Sequence, residues 1–70
     1  MKLRQEGKTG KNGSDYFDLC SDDFKSQFGY IKKKSDEWKL YINIAGKKNY
    51  YFGSFTECLE KAEQLKGLKF

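Results

Sequence analysis

Seventy residues with 37% hydrophobic and 17% aromatic side chains bound one small domain, because so short a chain cannot bury a second core. No run approaches the ~20 apolar residues that span a bilayer, and the basic start at Lys2 and Arg4 is not followed by the apolar stretch of a secretory signal, so a cytosolic protein is expected. The formal charge of +4 is unevenly placed: residues 1–28 and 56–70 each balance to zero, and the excess falls in residues 29–55, where Lys32, Lys33, Lys34, Lys39, Lys47 and Lys48 face only Asp36 and Glu37.

In chain order, Lys2 to Thr9 and Asp15 to Cys20 read as a hairpin across Gly10-Lys11-Asn12-Gly13, since Asn-Gly is a strong short-turn signal. The polar, Gly-interrupted first half is the weaker of the two. Ser21 followed by Asp22 and Asp23 reads as a helix cap with first-turn carboxylates, predicting a short helical turn to Gln27 with Phe24 and Phe28 as its apolar contacts. Residues 1–28 thus form an N-terminal extension. Residues 29–70 read as strands at Gly29–Lys34, Glu37–Ala45 and Lys48–Phe52, with turns at Ser35-Asp36 and Gly46-Lys47. A helix opened by Thr56 then runs from Glu57 to Lys66 and stops at Gly67. The expected architecture is α+β: a three-stranded antiparallel sheet packed on one C-terminal helix.

Period two assigns the faces. Trp38, Leu40, Ile42 and Ile44 turn toward the helix stripe of Cys58, Leu59, Ala62, Leu65 and Leu68, and Lys39, Tyr41 and Asn43 turn away. On the last strand Tyr50 and Phe52 are expected in the core, with Asn49 and Tyr51 outward beside Tyr41. A Tyr41–Tyr51 pair has two readings that the residues leave open: a cross-strand aromatic contact, or a surface for bases and sugars. A basic sheet face steers a polyanion to one side of the molecule, although solvated lysines alone produce the same charge run.

The order Gly29-Tyr30, Trp38, alternation to Ile42, a Gly-Lys turn, Phe52-Gly53-Ser54-Phe55 and an Ala-containing helix resembles the ethylene-response-factor type (Apetala-two) DNA-binding domain. It is closer still to that domain's bacterial and phage relatives, which are attached to homing endonucleases and similar to integrase arm-binding domains. The resemblance covers roughly residues 28–66. It implies a sheet lying in the major groove of duplex DNA, with contacts from the positions matching Ile31, Lys33, Lys39, Tyr41, Asn43, Asn49 and Tyr51. The plant domains carry arginines at several of these positions to read guanine edges; this chain has Ile31, Asn43 and Asn49 there, and its lysines suit phosphate contact better than bidentate readout.

Other chemistries lack their residues. The chain has no His, and Cys20 and Cys58 lack the spacing of a zinc site, so reduced thiols are expected rather than a metal centre or a disulfide. No Ser or Cys sits in a nucleophile-elbow setting, and no enzyme or cofactor is expected. Gly7-Lys8-Thr9 lacks the upstream Gly of a phosphate-binding loop, because Lys2 occupies that position. Asp15, Asp18, Asp22 and Asp23 lack calcium-loop spacing. Two classes follow. One is a small DNA-binding accessory or regulatory factor of a phage or mobile element, with Lys32, Lys34, Lys47 and Lys48 flanking the implied contact residues. The other is a phage-type, anti-CRISPR-like inhibitor or adaptor that meets a host protein, such as a nucleic-acid-processing nuclease, through Phe28, Ile31, Tyr41 and Tyr51.

Overall fold

The computed structural model describes residues 1–5 and 15–70. Antiparallel strands β1 (Lys2–Arg4), β2 (Tyr16–Cys20), β3 (Gln27–Lys34), β4 (Glu37–Ile44) and β5 (Lys47–Gly53) are followed by helix α1 (Phe55–Lys66). Each strand pairs with its sequence neighbour, giving one sheet in the order β1-β2-β3-β4-β5. The sheet has five strands where the sequence predicted three. The pairs Lys2↔Cys20, Leu3↔Leu19 and Arg4↔Asp18 join β1 to β2, and Phe17↔Ile31 lies within the β2–β3 ladder, so the N-terminal strands widen the sheet instead of extending from it. The turn at residues 10–13, the expected strand as far as Thr9, and Gly7-Lys8-Thr9 lie outside the described residues.

The helical turn expected at residues 21–27 does not form. Asp23 accepts from Ser21 Oγ at 2.6 Å and from Lys25 N at 3.0 Å, and Ser21 Oγ accepts from Ser26 N at 3.1 Å. Phe24 takes a φ of 61°, outside the helical region. These short polar side chains close a hairpin loop, the alternative to helix that Ser and Asp offer the backbone.

The Trp38–Ile44 alternation places Leu40 and Ile42 in the core with Leu19, Ile31, Met1 and, from the helix, Cys58 and Ala62. α1 lies over β4 and β5. Its start is set by a capping box: Ser54 Oγ accepts from Glu57 N at 3.1 Å, and Ser54 N donates to Glu57 Oε1 at 2.9 Å. Ser54 and not Thr56 is therefore the cap, and the helix begins at Phe55, two residues before the predicted Glu57. Phe55 packs edge-on to Trp38 at 4.8 Å and against Phe17 at 5.4 Å. Gly67 ends the helix at φ 76°, its N–H reaching Glu63 O at 2.8 Å, as predicted. Cys20 and Cys58 are both free and buried, and no helix among the described residues is long and apolar enough to cross a membrane.

Two turns decide which side chains face the helix. β4 and β5 are joined through Ala45 and Gly46, with φ of 52° and 83°, the positive pair that a type I′ hairpin requires. Ile44 then pairs with Lys47, Ile42 with Asn49, Leu40 with Tyr51 and Trp38 with Gly53. Directly paired residues share a face, so Asn49 and Tyr51 lie on the helix side while Tyr50 and Phe52 lie outward, the reverse of the expectation. Across the Ser35-Asp36 turn, Ile31 pairs with Leu40 and is fully buried, and Lys33 pairs with Trp38. Neither residue points outward as the resemblance implied.

Candidate nucleic-acid interface

With the helix on one side, no element among the described residues covers the other side of the sheet, and the register fills its centre with tyrosines. Tyr30 is paired with Tyr41, and Tyr41 with Tyr50. Their ring centres are 5.2 and 5.4 Å apart, tilted by 38° and 42°. Tyr16 extends the row from β2, stacked on Tyr30 at 5.6 Å and 19°. Four of the chain's five tyrosines thus form one ladder across β2, β3, β4 and β5. Each contact lies in the 4.5–7 Å range in which aromatic pairs attract beyond their area burial, by roughly 0.5–1.5 kcal/mol.

The flanking rows are basic. On one side, Tyr16, Lys32, Lys39 and Phe52 are successive partners across the sheet, with Lys34 beyond them opposite Glu37. On the other side lie Asn43 and its partner Lys48. Lys39 Nζ stands 5.0 Å from the Tyr50 ring centre, close enough for cation–π attraction. Tyr50 is 54% exposed and Phe52 50%, so the edge of this face carries open aromatic surface.

At the β2 end, Asp18 is only 9% exposed and is held by Arg4 Nη2 at 3.3 Å and Gln27 Nε2 at 3.0 Å. Burial first, and then the charge of the same carboxylate, push the Tyr16 phenol above its ordinary value. Asp18 is thus committed to its neighbours and takes little from the positive field of the lysines. A register shift between Leu19 and Cys20 leaves Phe28 outside the pairing. This bulge turns Phe28 to the helix side, where it packs on the core with Lys66 Nζ 4.2 Å from its ring centre. Beside the bulge a shallow concavity of about 370 Å³ opens between Gln27, Phe28, Gly29, Tyr41 and Asn43.

Of the residues proposed from sequence for nucleic acid, Lys32, Lys34, Lys39, Tyr41, Asn43 and Lys48 share this outer face. Lys33, Lys47, Asn49 and Tyr51 pair with inward residues and lie on the helix side. There Tyr51 packs on the core with Lys61 Nζ 5.7 Å from its ring centre, and Asn49 Nδ2 donates to Lys47 O at 3.1 Å. The partner-binding set does not converge either: Ile31 is buried, Phe28 and Tyr51 are on the helix side, and Tyr41 alone is outward. Sequence reasoning missed Tyr16, Tyr30, Tyr50 and Phe52 as members of the face. The signal was available: a two-residue hairpin turn pairs even-numbered with odd-numbered residues, so an inward Leu40 requires an outward Tyr50.

Compared with protein-family models, with curated proteins and with solved structures, the chain matches none.

Proposed function

We propose that this protein binds nucleic acid on the outer face of its sheet, with Lys32, Lys34, Lys39 and Lys48 contacting phosphates. The observation that carries this reading is juxtaposition: four lysines and the tyrosine ladder share the face of the sheet that no element among the described residues covers. Glu37 is the acidic residue of these rows that faces them, Asp18 being held by Arg4 and Gln27. The resemblance of residues 28–66 to the Apetala-two type domain supports the same face, because those domains also meet DNA with the sheet side away from the helix. Lys39, Tyr41 and Asn43 are common to both arguments. An accessory or regulatory role in a phage or mobile element is the biological setting that goes with this resemblance.

A protein partner is the second reading, favoured by half-exposed Tyr50 and Phe52, since open aromatic rings are the usual anchors of protein interfaces. Salt separates the two. Four phosphate contacts give a slope of log K against log salt of about −3, whereas an aromatic-anchored protein contact depends on salt weakly. The test is fluorescence anisotropy with labelled oligonucleotides at several salt concentrations. Lys39→Ala with Lys48→Ala is expected to weaken binding strongly. Lys33→Ala with Lys47→Ala removes equal charge from the helix side and is expected to leave binding nearly intact. Equal losses in the two variants would remove the outer-face assignment, and absence of binding at low salt would remove the nucleic-acid reading.

A further inference from the structure

Resting on that reading, we infer that the ligand is single-stranded nucleic acid laid across the tyrosine ladder, and not duplex DNA entered through its major groove. Width is the first argument. At the usual strand spacing a five-stranded face is roughly 19 Å across, and the major groove is roughly 12 Å wide. The ladder alone, from Tyr16 to Tyr50, crosses about 14 Å. A face whose centre is this broad and filled with rings does not sink to the base edges.

The second argument is chemical. A groove reader needs long polar side chains aimed at base edges, above all arginine. The one arginine of the chain, Arg4, sits 3.3 Å from Asp18 at the opposite end of the face from the lysines of β4 and β5. What the face offers instead is aromatic surface, with Tyr50 and Phe52 half open at its β5 edge. Bases within a duplex are stacked on one another and cannot use such rings; unpaired bases can. Lysines on both sides of the ladder, Lys32 and Lys39 on one and Lys48 on the other, supply point charges for a backbone running along it. Because every base has a π face, recognition of this kind tolerates sequence. The concavity beside Tyr41, walled by Gln27 and Asn43, lies next to this path and has room for an unstacked base.

The experiment compares a short labelled oligothymidylate with a labelled duplex of the same length, using the full chain at low salt. Single-strand affinity is expected to exceed duplex affinity by about tenfold or more. In Tyr50→Ala with Phe52→Ala, single-strand affinity falls by about tenfold or more, as expected from losing stacked bases, while duplex affinity is unchanged. Both residues are half exposed on an edge strand, so the variant is expected to fold, and circular dichroism verifies it. Should that variant unfold, Tyr50→Leu with Phe52→Leu keeps apolar bulk without the rings and is expected to show the same selective loss. Duplex binding equal to or tighter than single-strand binding overturns this inference while leaving the nucleic-acid reading standing. Binding of neither probe overturns both.

Discussion

Gly29→Ala is the sharpest test of the sheet. Gly29 is buried in β3 against Ile42 of β4. A Cβ built there overlaps the Tyr41 carbonyl oxygen and falls 2.7 Å from Ile42 Cα, where ordinary contact begins at 3.4 Å. The obstructing atoms are backbone, so no side chain can swing aside, and β3 and β4 must separate locally. Overpacking of a core costs about 1–3 kcal/mol, and each ladder hydrogen bond stretched open adds about 0.5–1.5 kcal/mol. The expected destabilisation is about 3 kcal/mol, a large part of the roughly 4–10 kcal/mol that holds a chain of this size. At about 4–8 °C per kcal/mol for a small domain, Tm should fall by roughly 12–24 °C. Thermal melting followed by circular dichroism reads this directly. Gly46→Ala is the control: its φ is 83°, but nothing lies within 4 Å of its Cβ, so only the left-handed backbone penalty of about 1–2 kcal/mol applies. If Gly29→Ala melts within about 5 °C of the parent, or no lower than Gly46→Ala, the close approach of β3 to β4 is wrong.

Three further outcomes are expected. Ser54→Ala removes the acceptor for Glu57 N and should cost about 1 kcal/mol, with Ser54→Asp restoring it; Thr56→Ala should leave the melt almost unchanged, and the reverse order would place the cap at Thr56. Ala45→Asn should stabilise by about 0.5–1 kcal/mol, because Ala45 holds a φ of 52° that Asn adopts more readily; a lower Tm would count against the type I′ turn. Burial first, and then neighbouring Glu57, push the Cys58 thiol above its ordinary 9.0, and burial and Asp18 push the Tyr16 phenol above 10.0. Both groups bind their protons more tightly when folded, so their contribution is whole below those values and fades as pH climbs through them. Tm should therefore decline through the alkaline range in a melting series, and a rise there would contradict the burial of both groups.

Much of the fold was legible because its signals are local. Alternation from Trp38 to Ile44 and the spacing of Cys58, Ala62 and Leu65 named the inward faces of β4 and α1, and Gly67 named the helix end. What failed was the choice between competing local signals. Ser21, Asp22 and Asp23 carry helix-cap chemistry, and in this hairpin the same oxygens close a loop. On β5, hydrophobicity favoured Phe52 inward and Asn49 outward, yet the two-residue turn fixed the opposite, because pairing with β4 binds the whole strand to one parity. Ile31 went the same way: its burial against Leu40 follows from the β3–β4 turn, while its outward placement came from the resemblance and from its place in the partner-binding set. The candidate face was accordingly half legible. The lysines and Tyr41 were found from charge and alternation, whereas the ladder needed the register of three hairpins at once.

The separation of aromatic residues between the two sides of the sheet gives the molecule two independent optical reporters. Trp38, the chain's one tryptophan, is lodged on the helix side against Phe55, so its emission and its near-ultraviolet dichroism follow the integrity of the interior. The tyrosines on the far side are close enough for their transitions to couple, and their shared band responds to whatever touches that surface. A ligand that docks there should alter the tyrosine signal and leave the tryptophan band in place, whereas unfolding moves both, so label-free spectroscopy can tell occupancy from denaturation in one sample.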